Sequence, residues 1–425
     1  MRMTRQRSAI LPLLLLAVLV GASWCMQGSF GTVQEAAKAE LGLSDWQLGL
    51  LQGLAVSVPI AVLAVPIGRA VDRSHRVRVL IALGLTWSVG TLLTAFAHGF
   101  VSLFVARMLA GLGATCAVSA AISIAADLTP PERRGFAMLV LTVGKWAGTA
   151  AAFAAAGGLF GLFRHGGAGW ASAGLPPWRA AHLVLGVASL LLLLPALALR
   201  EPERHEVAAG EHAPLRVILR ELADRRGFLI PLFVGQIGVV MADVAASIWI
   251  APVLTRDYGQ TPEQFGGWVG GVLFATGILG SILGGICADR GQRGGRRGGI
   301  LIAAVVASIF AVPAALFPIM PSVTGLGILF GLLILCGTIC GLVTGAALSV
   351  LLPNELRGVC LGTFIALAGV IGFGAAPGLV TGLAGLMGDP RHLGPALAIV
   401  GMAVGILSAG AFRLAMKRAP DDPIR

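Results

Sequence analysis

Three charged side chains lie inside long apolar stretches of this sequence: Arg107, Lys145 and Asp243. A charge in the hydrocarbon region of a bilayer costs about 3 kcal/mol or more, so it persists where it is paired, hydrated or used. Asp243 could bind and release a proton. Alternatively, Arg107 and Lys145 could bind an anion while Asp243 balances their charge in the empty state. The third interpretation is an ion pair with a purely structural role.

The depth of these charges can be estimated from their positions along the apolar stretches. Arg107 lies about seven residues into its stretch, or roughly 10 Å at 1.5 Å per residue. The stretch that carries Asp243 begins at the opposite face of the membrane. In a core about 30 Å thick, Asp243 then lies roughly 8 Å from the face at which the Arg107 stretch begins. Lys145 falls near the middle. Arg107 and Asp243 are therefore predicted to share a depth, one in each half of the chain.

Polar and aromatic residues on the same stretches complete the candidate site. They are Trp24, Gln27, Gln52, Trp146 and Gln236. For Gln27 and Gln236 the sequence leaves two uses open, which are cavity lining and hydrogen bonding between helices. Trp249 is expected at a membrane interface, where tryptophan is enriched.

The elements that carry these residues are predicted from composition and segment length. The chain has 425 residues, of which 56% are hydrophobic and 12% charged. Apolar stretches of about 20 residues, the length of a membrane-spanning helix, recur along it. Helix is the structure that satisfies the backbone in lipid, and no alternating barrel pattern occurs. The predicted helices span about 8–27, 46–68, 79–98, 100–127, 136–162, 181–199, 228–255, 265–287, 299–319, 322–351, 359–387 and 395–415.

Two short charged patterns occur once in each half of the chain. Gly-x-x-x-Asp-Arg stands at 68–73 and again at 285–290, and a Pro-x-Glu-x-Arg-Gly turn stands at 130–135 and 353–358. Repetition at half-length indicates a duplicated helical unit. The predicted fold is an all-α membrane protein of twelve transmembrane helices, in two six-helix halves related by pseudo-twofold symmetry. We predict halves at 1–199 and 228–425, joined by a cytoplasmic central loop at 200–227.

Basic residues are distributed unevenly between the two predicted faces. The net charge is +11, and 24 Lys and Arg residues fall on the side that holds both termini, against five on the other side. This asymmetry follows the positive-inside rule and predicts cytoplasmic termini for a multi-pass protein of a bacterial inner membrane. Basicity therefore encodes orientation, and we expect no nucleic-acid partner.

The motifs resemble those of a known family. The loop at 68–73 with its following Arg76 is similar to the signature loop of the major facilitator superfamily, and Arg107-x-x-x-Gly111-x-Gly113 is similar to its second motif. The stretch 41–53 and the pair Trp178-Arg179 resemble the bacterial spinster-like branch. Where that branch usually has an acid directly after Gly-x-Gly, this sequence has Ala114.

The resemblance implies a fold, a mechanism and a gate. In this superfamily helices 1, 4, 7 and 10 line a central cavity, so the resemblance implies that Arg107 and Asp243 face each other there, with Lys145 nearby. The signature loop of the superfamily latches the two halves at the cytoplasmic side. Asp72 is then expected to reach the start of the eleventh helix near Gly358, with Arg73 and Asp127 adding to the cluster. The rival interpretation is a topology signal. The candidate gate residues are Gly68, Asp72, Arg73, Arg76, Asp127, Arg134, Gly285, Asp289 and Arg290.

We therefore expect a secondary active transporter that moves a small organic solute by alternating access, driven by a proton gradient. The solute is expected to be anionic or amphipathic rather than a neutral sugar. The alternatives are a spinster-like lysolipid transporter and a drug or metabolite efflux pump. The seven histidines are scattered, which argues against a membrane enzyme. We expect no cofactor or metal, and a monomer whose partners are its substrate, the proton and the bilayer.

Overall fold

The computed structural model of the chain describes residues 2–130, 133–167, 174–202, 224–352, 360, 363–364, 367–388 and 392–420, and within these ranges it contains helices and no strands. The α-helices are α1 (Arg2–Leu41), α2 (Asp45–Gln52), α3 (Leu54–Arg73), α4 (Arg76–Ala95), α5 (Phe100–Leu128), α6 (Arg134–Arg164), α7 (Pro177–Leu193), α8 (Arg226–Arg256), α9 (Pro262–Arg293), α10 (Ile302–Ala314), α11 (Val323–Leu351), α12 (Ala376–Leu386) and α13 (Leu393–Lys417). Short 3-10 helices follow α7 and flank α10, and a π-helix (Ala368–Ala375) precedes α12.

Within the described ranges, twelve helical stretches are long and apolar enough to cross a membrane, which confirms the predicted number. The helices α2 and α3 form one of them, Asp45–Arg73. The break between them falls at Gly53, whose φ of −97° and ψ of −81° lie outside the helical region. The π-helix at 368–375 leads directly into Pro377, which cannot donate a backbone hydrogen bond.

The predicted end of the first helix, near residue 27, is wrong, because α1 continues to Leu41. The predicted helix ended at the point where polar residues interrupt the apolar run. In the structure one of these residues, Glu40, accepts hydrogen bonds from Trp178 Nε1 at 2.5 Å and Arg179 Nε at 2.7 Å on α7. Tertiary partners therefore extend α1 beyond the point that local polarity indicated.

The chain divides into two compact units. Unit 1 comprises Met1–Val207 and Leu254–Phe274, and unit 2 comprises Ala208–Val253 and Ala275–Arg425. Unit 1 thus includes the hairpin that joins α8 to α9. The predicted division at the central loop stays a prediction, because residues 203–223 of that loop lie outside the described ranges.

Small residues hold α1 against α6 in unit 1. A Cβ on Gly148 would lie 2.0 Å from the carbonyl oxygen of Gly21, and one on Gly144 would lie 2.3 Å from that of Ala17. Thr32 adds a hydrogen bond of 3.2 Å to the carbonyl of Ala152. The two backbones approach this closely because the residues between them lack side chains, as the Gly-x-x-x-Gly spacing indicates.

The hairpin 254–274 is fixed within unit 1 by a group of charges that we call the Arg256 cluster, formed by Glu35, Lys38, Asp45 and Arg256. The guanidinium of Arg256 donates to Glu35 at 2.7 and 2.9 Å and to Asp45 at 2.6 and 2.8 Å. Lys38 Nζ lies 2.5 Å from Asp45 Oδ1. Bidentate pairs of this kind are among the stronger charge-assisted contacts in proteins.

Unit 2 uses the same two devices, small residues and hydrogen bonds between helices. Gly280 and Gly284 of α9 pack against Thr338 and Leu342 of α11. Thr344 Oγ1 donates to Gln236 Oε1 at 2.9 Å and so links α11 to α8.

The glycines of α6 provide a matched stability test. A Cβ on Gly148 would overlap with backbone atoms of Gly21 on α1, whereas a Cβ on Gly158 would have no neighbouring atom within 4 Å. We expect Gly148→Ala to destabilise the protein by about 1–3 kcal/mol through overpacking. Gly158→Ala should be neutral or slightly stabilising, since alanine favours helix. Thermal unfolding of the two purified variants checks this, and equal midpoints would contradict the close α1–α6 contact.

Candidate functional site

Arg107 lies in the interior of unit 1, where only 1% of its surface is exposed. Its Nη2 donates to the carbonyl oxygen of Gln27 on α1 at 2.5 Å and to Oε1 of Gln52 at 3.4 Å. The guanidinium carbon stands 5.2 Å from the centre of the Phe30 ring. Residues from three helices, α1, α2 and α5, therefore fix the position of this cation.

The glutamines around Arg107 are themselves held in place. Gln52 Nε2 donates to Gln34 Oε1 at 3.1 Å, and Thr115 Oγ1 donates to Gln27 Oε1 at 3.5 Å. Gln27 therefore makes hydrogen bonds between helices, which was one of the two uses left open by the sequence. The network leaves the guanidinium little freedom to reorient.

In the described part of the chain, no carboxylate oxygen lies within 4.0 Å of the Arg107 guanidinium. Its Nε is buried and has no hydrogen-bond partner among these residues. A buried guanidinium with neutral partners keeps its full positive charge and one unused donor. This arrangement is suited to an anion that accepts from Nε and balances the charge.

Lys145 of α6 also lies in unit 1, next to two tryptophans. Its Nζ stands 4.7 Å from the ring centre of Trp24 and 5.0 Å from that of Trp146, within the range of cation–π attraction. Lys145 and both tryptophans are half-buried. Unit 1 thus holds two cations inside membrane-spanning helices, each packed against aromatic rings.

His182 of α7 is another ionisable side chain of unit 1, and it is fully buried. Its Nδ1 lies 2.8 Å from the carbonyl oxygen of Trp178, while Nε2 has no hydrogen-bond partner. Its ring centre lies 6.0 Å from that of Phe30, the ring that Arg107 also contacts.

Asp243 of α8 lies in unit 2, with its carboxylate packed directly on Gly337 of α11, where an added Cβ would meet its oxygens at 2.0 and 2.3 Å. Beside it is a cavity of about 10 Å³, space for about one water molecule. Other residues lining this cavity are Ser308, Cys336, Cys340 and Ser408. The predicted pairing of Arg107 with Asp243 stays a prediction, since each is described within its own unit.

Two further predictions for α8 have different outcomes. Gln236 is 5% exposed and accepts the hydrogen bond from Thr344, so it serves as a link between helices. The expected position of Trp249 at a membrane interface is wrong, because this side chain is 0% exposed. Its apolar ring surface is buried by packing rather than placed at a lipid boundary.

Among the candidate gate residues, Arg76 and Asp127 form an ion pair. Arg76 also donates through Nε to Glu201 at 2.7 Å and through Nη2 to the carbonyl of Pro202 at 2.9 Å. Burial acts to raise the pKa of Glu201, but the hydrogen bonds from Arg76 and the backbone N–H of Val77 outweigh it and hold this pKa below its usual value. This cluster joins α4, α5 and the segment after α7.

The remaining gate residues are more exposed than Arg76. Asp72, Arg73, Asp289 and Arg290 are exposed, and Gly68 and Gly285 are half-buried. Arg134 Nε donates to the carbonyl of Ala126 at 3.3 Å. The expected partner region of Asp72, near Gly358, lies outside the described residues, so the latch stays a prediction.

Several residues near the site were missed in the sequence. Phe30 and Gln34 fall beyond the predicted end of the first helix, and His182 was set aside with the scattered histidines. A longer first helix would have placed Phe30 and Gln34 on the same face as Gln27, since helical neighbours recur at three and four residues. For His182 the available signal was a polar residue in an apolar run.

The sequence has relatives among curated transporters. It is 26% identical to the probable sulfoacetate transporter SauU of Cupriavidus necator over 60% of this chain and 58% of that protein, so the chain spans somewhat more than half the length of this relative. It is also 26% identical to the 3-(3-hydroxy-phenyl)propionate transporter of Escherichia coli K12, over 86% of this chain and 84% of that one.

Solved structures support the fold. A bacterial homolog of the human lysosomal transporter Spinster, in its inward-facing and occupied conformation, matches with a TM-score of 0.76 and 21% identity. The match covers 97% of this chain and 98% of that one. The family described as Major Facilitator Superfamily matches residues 13–377. With twelve helices able to cross a membrane among its described residues, the chain is a multi-pass membrane transporter, not an enzyme, and it belongs to the major facilitator superfamily.

Proposed function

We propose that this transporter moves a small organic acid in its anionic form, driven by a proton gradient. The observation that carries the proposal is the environment of Arg107. This guanidinium is buried in unit 1 and has no carboxylate partner in the described residues, and its Nε donor is unused. A neutral sugar would leave that charge uncompensated, whereas a carboxylate or sulfonate would balance it.

Lys145 supports the same substrate class. Its ammonium group rests on the faces of Trp24 and Trp146. A second cation inside the membrane-spanning helices of unit 1 favours anions that carry two acidic or polar groups, because each end can then meet a positive charge. The tryptophan rings offer apolar surface for a carbon skeleton, as in most small-molecule sites.

The named relatives fit this chemistry. Sulfoacetate and 3-(3-hydroxyphenyl)propionate, the compounds that name two of them, are both small organic acids. Their identity with this chain is only 26%, so they support a class of substrate rather than a compound. They also provide two probes that differ in aromatic character and in number of charges.

The proposal includes the setting of the protein. The bias of Lys and Arg toward one face supports cytoplasmic termini in a bacterial inner membrane. The exposed Asp72 and Asp289 remain candidates for a cytoplasmic latch, and the chain is proposed to act as a monomer.

Removing the charge of Arg107 tests the proposal. In proteoliposomes with an inward proton gradient, we expect the wild type to accumulate labelled sulfoacetate or 3-(3-hydroxyphenyl)propionate. Arg107→Gln should lower the initial rate by about 100-fold, in the range reported when a buried charged partner is removed at about 2–5 kcal/mol. Arg413→Gln, a change at an exposed position on α13, is the matched control and should transport normally.

Two results would refute the organic-acid proposal. One is normal uptake of both acids by Arg107→Gln. The other is a wild type that moves glucose or a lysophospholipid but neither acid, which would instead favour a sugar or lipid transporter.

Lys145 is expected to affect binding more than turnover. Lys145→Gln removes a cation held by two aromatic faces, so we expect KM for the transported acid to rise about tenfold, equivalent to about 1.4 kcal/mol, with a smaller change in maximal rate. Concentration series in the same vesicles measure both. Lys417→Gln, at an exposed helix end, is the control; an unchanged KM for Lys145→Gln would exclude Lys145 from the binding site.

A further inference from the structure

We propose that His182 takes up the coupled proton, in step with the binding of the anion beside Arg107. This inference rests on the proposed function and assigns the proton to a residue of the same unit. The inference requires no cavity beside His182, because a proton binds to the lone pair of a ring nitrogen.

The geometry places His182 and Arg107 on a shared aromatic ring. The guanidinium stands 5.2 Å from the centre of Phe30 and the imidazole 6.0 Å from it. Burial is the larger penalty on a charged His182 ring, and the positive charge of Arg107 adds to it. Because both groups contact the same apolar ring in a buried region, the charge of one is weakly screened from the other.

The hydrogen bonds of His182 identify the atom that receives the proton. Nδ1 lies 2.8 Å from a carbonyl oxygen, Trp178 O, which can only accept, so Nδ1 carries the hydrogen in the neutral ring. Nε2 then holds the lone pair and has no partner. Protonation at Nε2 forms one N–H bond and gives an imidazolium; the proton comes from hydronium, whose O–H bond breaks to leave a water molecule.

The charges facing His182 come from the helices packed on α7. Arg107 of α5 contacts the same Phe30 ring as His182, and the only ionisable side chain in the interior of α6 is Lys145. The stretch of α4 from Val79 to Ala95 has none. From α1, Glu40 reaches Trp178 and Arg179, and both of its carboxylate oxygens accept from them. Glu35 and Lys38 of α1 belong to the Arg256 cluster.

This distribution links the proton to the anion. Without an anion, a proton on His182 would add a second positive charge next to Arg107, with no described carboxylate in contact with either. An anion bound at Arg107 cancels that field and so lowers the free-energy cost of protonating His182. By linkage the effect is reciprocal, so protonated His182 must strengthen anion binding by the same factor. The result is symport of one proton with one anion.

Binding experiments on the purified full-length transporter test the link. We expect 3-(3-hydroxyphenyl)propionate or sulfoacetate, each tested alone, to bind more tightly as the pH falls from 8 to 5.5, approaching tenfold per pH unit. An indicator dye should record uptake of about one proton per bound anion. In His182→Gln both effects should vanish while the anion still binds. His98→Gln, a change at an exposed histidine, should behave as the wild type.

Transport in proteoliposomes provides the second readout. His182→Gln should exchange internal for external anion, yet fail to accumulate it when only a pH gradient is imposed. A merely structural histidine would lower exchange and accumulation together.

Several results would overturn the inference. Wild-type binding that does not change with pH would do so even where His182→Gln fails to fold. Proton uptake that persists in His182→Gln would move the carrier elsewhere. A wild type that binds and transports the anion without proton uptake overturns this inference and the proton coupling of the proposed function, while the organic-acid substrate class stands. If neither acid binds or is transported, the proposed function and this inference both fall.

Discussion

The central constraint on unit 1 is a positive charge that must be kept in a dry interior. Arg107 is fully surrounded, and the groups that contact it are a backbone carbonyl, an amide and an aromatic ring. Each of these lowers the cost of burial without cancelling the charge. The placement of Gln27, Gln34 and Gln52 follows from this requirement, because a neutral solvation shell around a cation needs oxygens that point inward.

Helix packing supplies the precision that this shell needs. Gly144 and Gly148 flank Lys145 and bring α6 into backbone contact with α1. That contact places Lys145 against Trp24, while Gln27 and Phe30, further along α1, contact Arg107. One close-packed helix thus positions both cations.

The sequence predicted the number of helices and the charged residues, because both follow from hydropathy and the cost of burying charge. It did not predict where α1 ends, because Glu40 is stabilised by Trp178 and Arg179, almost 140 residues later in the chain. The burial of Trp249 and the contact between Glu201 and Arg76 were missed because they too depend on residues far apart in the chain. Contacts between distant residues decide these features, and local patterns do not report them.

Three arginines of unit 1 show how differently one side chain can be used. Arg256 has two carboxylates in bidentate contact, and Arg76 has Asp127 and Glu201. The chain therefore supplies acidic partners where an arginine has a structural role. Arg107 is more deeply buried than Arg256, so its need for a counter-charge is greater, yet only neutral groups contact it. The absence of an acid among the described neighbours of the most buried of the three makes sense if its counter-ion is the cargo, which arrives and leaves in each cycle.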